Sequence, residues 1–298
     1  MESLDEIRLP GQRIHRFQVG DVRVTRIVEL EGPGPGTFVL PHATPENVRS
    51  VDWLAPHFAT EDGALLMSVH AFVIESMGRR IVVDTCVGNE KPRAVASWND
   101  LHGPFLEDLI EAGFARDAID TVLCTHLHVD HVGWNTMREG DRWVPTFPRA
   151  RYLFARKEWE YWSTLQGEEA EVFGDVIGDS VQPVVDAGLA DLVEPDHEVT
   201  EEVRLEPTPG HTPGHVSVRI RSGGAEAVIT GDLMHHPIQM ARPDWGSHFD
   251  YDGGAAETTR RRFLADNGDR SVRVFGTHFA TPSVGLVVRD GAGWRFVV

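Results

Sequence analysis

Apolar residues along this chain recur at two spacings, and the switching between them lays out the elements. Residues 17–30 (FQVGDVRVTRIVEL) alternate apolar with polar, which reads as two short strands turning at Gly20-Asp21. Residues 31–56 are rich in Pro and Gly and read as a long loop. A loop of that length in a compact protein is usually functional or disordered. It leads into Trp53, Leu54 and Phe58, so two readings stand side by side: a flap over a substrate, or side chains packed on the protein's own surface. Alternation returns at 67–75 and 80–84, two strands separated by a turn at Met77-Gly78. Residues 105–112 (FLEDLIEA) carry apolar positions at helical spacing, and 119–124 form an apolar run of strand length. A helix with an aromatic face is predicted at 155–165, and broken helix over 168–187. The second half repeats the outline. Strands are predicted at 203–206, 216–220, 227–230, 272–275, 286–289 and 294–298, with an Arg-rich helix at 254–267. Strands and helices interleaved in this way predict an α/β (α+β) fold with two mixed β-sheets and helices outside.

Composition narrows the class. Hydrophobic residues make up 41% of 298 and mean hydropathy is -0.24, ordinary values for a globular protein. No apolar run approaches the roughly 20 residues that span a bilayer. The first 17 residues have early acidic groups and no apolar core, which reads against a secretory signal and for a cytoplasmic protein. Lys and Arg number 28 against 46 Asp and Glu, a net charge of -18. So acidic a surface repels phosphate backbones, and no nucleic-acid partner is expected. The expected partner is a small-molecule substrate, with no membrane; a homodimer is left open. Two cysteines, Cys86 and Cys124, are too few for a disulfide framework and read as small buried hydrophobes.

The chemistry concentrates at Thr125-His126-Leu127-His128-Val129-Asp130-His131-Val132-Gly133-Trp134. Three histidines and an aspartate fall within six residues, directly after an apolar strand. Imidazole nitrogen and carboxylate oxygen suit borderline divalent metals such as zinc. Alternation puts His126 and His128 on one side of an extended segment. Asp130 and His131 follow once the chain turns, a turn that Gly133 is expected to permit. Four such groups beside a buried strand are costly without a metal. Three further candidates each follow an apolar strand and sit beside a glycine: His211 in TPGHTPGH, Asp232 in ITGD and His278 in FGTH.

The H-x-H-x-D-H run resembles the signature of the metallo-β-lactamase superfamily. Asp84 in DTC, His211 in GHTPGH, Asp232 in TGD and His278 in GTH match that family's order across most of the chain. The resemblance implies an αββα sandwich, a single domain over 1–298 with 31–66 as a flap loop. It implies one metal held by His126, His128 and His211, a second by Asp130, His131 and His278, and Asp232 bridging both. The zinc β-lactamases proper differ at the position of Asp130. His211 and His215 compete for one place; the motif assigns His211 and leaves His215 behind it. Cys86 stands where the family usually has a glycine, and Asp84 is expected to fix the tautomer of a ligand histidine. The stretch Gly231-Asp232-Leu233-Met234-His235, with Gln239 and Phe249-Asp250 downstream, is similar to the acyl-homoserine-lactonase-like and methyl-parathion-hydrolase-like branch.

That branch implies two divalent metal ions, zinc foremost with iron or manganese as alternatives, sharing a hydroxide that attacks a carbonyl or phosphoryl centre. Asp130 or Asp232 would shuttle the proton, and His235 would polarise the substrate carbonyl. The alternative for His235 is an outward loop histidine paired with His236. The expected activity is opening of a lactone or cleavage of a related ester. Phosphotriester hydrolysis is the first alternative. An iron-dependent persulfide dioxygenase, which the metal count would separate, and a non-catalytic binding module follow.

Overall fold

The computed structural model describes residues 13–34, 36–165 and 173–298. The chain forms two compact units. One comprises the described residues of Met1–Glu29, Val69–Glu194 and Thr200–Glu202; the other comprises those of Leu30–Ser68, Pro195–Val199 and Val203–Val298.

Fifteen strands are found among the described residues, in two large sheets and a hairpin. β1 (Ile14–Val19), β2 (Val22–Gly34), β3 (Leu65–Ser76), β4 (Arg79–Val83) and β5 (Thr121–Leu123) belong to a seven-stranded sheet. β6 (Thr136–Glu139) and β7 (Arg142–Pro145) form the hairpin, and β8 (Arg151–Ala155) and β9 (Ala190–Val193) complete the sheet in the order β1-β2-β3-β4-β5-β8-β9. β4, β5, β8 and β9 run parallel to one another, whereas β1 pairs with β2, and β3 with β4, antiparallel. Buried at every residue, β5 carries Thr-Val-Leu between two parallel neighbours, as a strand covered on both faces should.

The second sheet takes β10 (Val203–Pro207), β11 (Val216–Ser222), β12 (Ala225–Ile229), β13 (Val272–Phe275), β14 (Val284–Asp290) and β15 (Gly293–Val297) in sequential order. All its pairs are antiparallel except β12 with β13. A parallel pair needs a long crossover, and here it contains the helix Gly253–Asn267, capped by the Asp252 side chain on Ala255 N–H.

Several expectations change. The strands β6 to β9 were not predicted, the aromatic helix is shorter (Arg156–Trp162), and 31–66 is not one loop: β2 runs on to Gly34 and helices follow at Gly36–Val39 and Pro45–Arg49. Of the predicted helix at 168–187, residues 168–172 lie outside the described residues, and the remainder holds two short helices, Val176–Ser180 and Gln182–Asp186. Leu54 and Phe58, offered above as flap residues, are each 1% exposed and fill the core of the second unit with Leu65, Phe279 and Phe296. Two apolar side chains so enclosed gain more from that core than from covering a substrate. Trp53 is half-buried against the same core.

Gly133 also acts differently from expectation. Its φ is -57°, open to any residue. A Cβ there would lie 1.9 Å from the Val87 carbonyl oxygen, so the requirement is close backbone approach.

Candidate metal centre

Within the first unit, β4 and β5 end side by side and the polar residues begin immediately beyond them. Asp84 follows β4 and accepts from Thr125 N–H (2.7 Å) and Thr125 Oγ1 (2.9 Å), which follows β5. Its Oδ2 also lies 2.9 Å from His131 Nδ1. A carboxylate only accepts, so the His131 proton sits on Nδ1 and the lone pair on Nε2. Asp84 thus anchors a histidine of the cluster, as expected. Thr125 Oγ1 spends its proton on Asp84 and lies 3.1 Å from His126 Nδ1, which fixes His126 the same way. His126 Nε2 then faces His128 Nδ1 at 3.0 Å, and His131 Nε2 faces Asp130 Oδ1 at 3.7 Å.

The loop carrying these residues is braced by a buried glutamate the sequence reading did not single out. Glu158 Oε2 accepts from Leu127 N–H at 3.3 Å and from the Trp162 indole at 2.9 Å, and Trp162 stands edge-on to His128 with centroids 5.2 Å apart. A second, Glu29, accepts from Val87 N–H, Gly88 N–H and the Trp134 indole. Burial pushes its carboxyl up to about 7 against those hydrogen bonds, and the charge of Asp130 pushes the same way.

In the second unit the parallel pair β12 and β13 plays the corresponding part. Asp232 lies just past β12 and His278 just past β13. Asp232 Oδ1 is 3.2 Å from His278 Nε2, and its Oδ2 is 3.5 Å from His211 Nε2 and 3.3 Å from His235 Nε2. The outer nitrogens are engaged: His278 Nδ1 on the Ser68 carbonyl (2.9 Å) and His211 Nδ1 on Asp250 Oδ1 (3.0 Å). Both acceptors lack a proton, so both histidines turn an Nε2 lone pair toward Asp232.

His215 is separated from His211 by its bonding. Its Nδ1 donates to the Thr208 carbonyl at 3.0 Å, and its Nε2 accepts the Asp232 backbone N–H at 2.8 Å. Both ring nitrogens are committed, so His215 shapes the Asp232 turn and has no lone pair for a metal. His236 is likewise committed, between Phe58 O and Ile238 N–H, and burial lowers its pKa to about 4. His235 is not outward: it is 4% exposed, and its Nδ1 has no hydrogen-bond partner among the described residues. Gln239 accepts its backbone N–H at 2.7 Å and donates to Trp245 O.

These distances are compatible with a shared metal ion. Two nitrogens on a tetrahedral zinc, each about 2.0–2.1 Å from it, lie about 3.3 Å apart. The gaps of 3.0, 3.2 and 3.5 Å between donor atoms are of that size. With the Nδ1 protons of His131, His211 and His278 assigned, their Nε2 lone pairs meet carboxylate oxygens, and a cation would resolve the arrangement. Every residue named from the sequence as a donor thus stands in one of two groups: His126, His128, Asp130 and His131 in the first unit, and His211, Asp232 and His278 in the second. The anchors Ser68, Asp250 and Glu158 were missed, since each lies far along the chain from the group it holds.

Comparison with known proteins agrees with this chemistry. Residues 65–288 match the family model described as the metallo-beta-lactamase superfamily. A probable metallo-hydrolase, YybB of Bacillus subtilis (strain 168), is 28% identical over 202 residues, covering 63% of this chain and 76% of its own. The N-acyl homoserine lactonase AiiA of Bacillus thuringiensis subsp. kurstaki is 26% identical over 195 residues, 60% of this chain and 69% of its own. Among solved structures, AidC, a dizinc quorum-quenching lactonase in complex with a product, superposes with a TM-score of 0.77 at 20% identity, covering 95% of this chain and 96% of that one. Fold, donor chemistry and family model converge: the chain belongs to the metallo-beta-lactamase superfamily and is a hydrolase of that fold.

Proposed function

We propose that this chain opens a lactone or cleaves a related small ester. In this reading His126, His128 and His211 hold one divalent ion, Asp130, His131 and His278 hold a second, and Asp232 is shared. The observation that carries it is Asp232, whose two oxygens face two different imidazoles, each anchored through its far nitrogen. A donor set of nitrogen and oxygen alone favours zinc. Ions so held polarise a substrate oxygen and supply a water nucleophile near neutral pH.

The protein's own groups do the rest. The Asp130 side chain keeps 13% exposure, so its carboxylate can pass a proton to bulk water. His235 donates from Nε2 to Asp232 Oδ2, which leaves Nδ1 to meet the substrate or its departing oxygen. Beside the His211 loop, Phe38 is 44% exposed and stands edge-on to Phe249 with centroids 5.3 Å apart. An exposed aromatic at that place suits an ester with an apolar arm. The named activity of the AiiA and AidC relatives supports the same substrate class.

The test is metal content of protein purified without added metal, followed by a panel of acyl lactones, aryl esters and phosphotriesters. About two divalent ions per chain with lactones as the best substrates is the expected result. An active preparation with a single metal would overturn the shared role of Asp232, and turnover of phosphotriesters alone would overturn the substrate class.

A further inference from the structure

Asp250 is no part of the donor set proposed above, yet its side chain is only 2% exposed. Its Oδ1 lies 3.0 Å from His211 Nδ1, and its Oδ2 accepts Ser247 N–H at 2.9 Å and faces Arg260 Nη2 at 3.7 Å. A buried carboxylate is tolerated when it is supplied with donors in this way. Arg260 is itself fully buried on the helix Gly253–Asn267. It donates from Nε to Leu233 O at 3.1 Å and from Nη1 to Pro243 O at 2.7 Å. One guanidinium thus grips the backbone next to Asp232 and faces the carboxylate behind His211.

The backbone around His211 is tied to the same helix and its leading loop. Tyr251 N–H donates to His211 O (3.0 Å), Asp252 N–H to Gly210 O (2.9 Å) and Thr259 Oγ1 to Pro209 O (2.6 Å). The loop is held from its other side by Val39, whose carbonyl accepts His248 N–H (3.0 Å) and the Ser247 hydroxyl (3.1 Å). His211 therefore has little freedom in backbone or ring.

We infer that Asp250 and Arg260 are positioning residues that set how tightly His211 holds its metal. Asp250 fixes the ring through Nδ1 and raises the basicity of Nε2; Arg260 fixes Asp250 while holding Leu233, the neighbour of Asp232. A carboxylate–imidazole–metal chain of this kind tunes affinity without touching the substrate. The inference rests on the proposed reading of His211 as a ligand.

The experiment uses the full chain as wild type, Asp250→Ala, Asp250→Asn and Arg260→Lys, with zinc affinity measured by chelator competition and the coordination read from the absorption spectrum of cobalt-loaded protein. Asp250→Ala should weaken one zinc about 10–100-fold and leave the other unchanged. Asp250→Asn, which keeps an acceptor for Nδ1–H but no charge, should weaken it less and shift the cobalt spectrum. Arg260→Lys should fall with Asp250→Asn. Wild-type affinity for both zincs in Asp250→Ala or, where that variant does not fold, in Asp250→Asn would overturn the inference. So would an equal loss of both ions, which marks a merely structural role. If the wild type itself binds no pair of metals or turns over no lactone, the proposed function fails instead, so the two failures are distinguishable.

Discussion

His211→Ala and His215→Ala should separate two kinds of damage at neighbouring histidines. His211 offers Nε2 toward Asp232, and its ring is anchored through Nδ1 on Asp250. Its loss therefore falls on the metal. Apparent zinc binding of about 10–16 kcal/mol spread over four ligands is about 2.5–4 kcal/mol each, or roughly 60- to 10³-fold in affinity. His215 makes two bonds, to Thr208 O and from Asp232 N–H, and is 1% exposed. Truncation forfeits both, at about 1 kcal/mol each, and leaves a buried N–H unsatisfied for about 1–3 kcal/mol more. The metal-free His215→Ala protein should thus lose about 3–5 kcal/mol of stability. At about 2–4 °C per kcal/mol, that lowers its melting temperature by roughly 6–20 °C. Metal content after purification, chelator competition, and thermal unfolding of the metal-free forms give a crossed pattern: one variant short of a metal and stable, the other metallated and soft. If His215→Ala empties a site while His211→Ala keeps both ions, the assignment is reversed.

Other outcomes follow from single features. His236 has its pKa lowered from 6.5 to about 4 by burial, so its contribution is full above pH 6.5 and is lost as pH falls through about 4, some 3 kcal/mol in all. Glu29, raised from 4.5 to about 7, works the opposite way, its contribution fading as pH rises through that window. The difference between wild type and His236→Gln in metal-free urea titrations isolates the histidine, and a difference independent of pH between 4 and 6.5 would refute it. Gly210→Ala, at φ 136° with its Cβ 2.3 Å from Ala256 N, should destabilise by more than about 2 kcal/mol, seen as a shifted urea midpoint at constant slope. Chelation should abolish lactone turnover and added zinc restore it; turnover by metal-free protein would dismiss the metal centre. Phe38→Ala should raise KM for long-chain lactones, leave kcat and zinc content unchanged, and spare short-chain ones; equal effects at every chain length would remove the apolar-arm reading.

Much of the clustered His and Asp set was legible because these residues follow strand ends, and strand ends are visible as apolar runs stopping at a polar cluster. His126 to His131 and Asp232 needed only that local pattern. His235 and His236, adjacent and chemically alike, could not be told apart, because what distinguishes them is Phe58 O, 178 residues away. The role of Asp250 was hidden for the same reason, since its partner His211 lies 39 residues upstream. Strands β6 and β7 were missed because each is only four residues long and mostly half-buried or exposed, too short for a clear alternation. Leu54 and Phe58 stayed between two readings because the Pro/Gly-rich stretch before them marks turns but says nothing about what the next apolar side chains pack against.

Both free thiols lie in the first unit, Cys86 and Cys124, fully enclosed beyond β4 and β5. Burial raises each well above the ordinary thiol value, with nearby carboxylates adding to the effect. A folded molecule therefore presents no thiolate to an alkylating dye. Any labelling counts the moments when the neighbourhood of those strand ends opens. The protein carries its own clock for local breathing at the stem of the His126–His131 loop, readable without a mutation or an added probe site. Zinc should slow that clock in proportion to its occupancy.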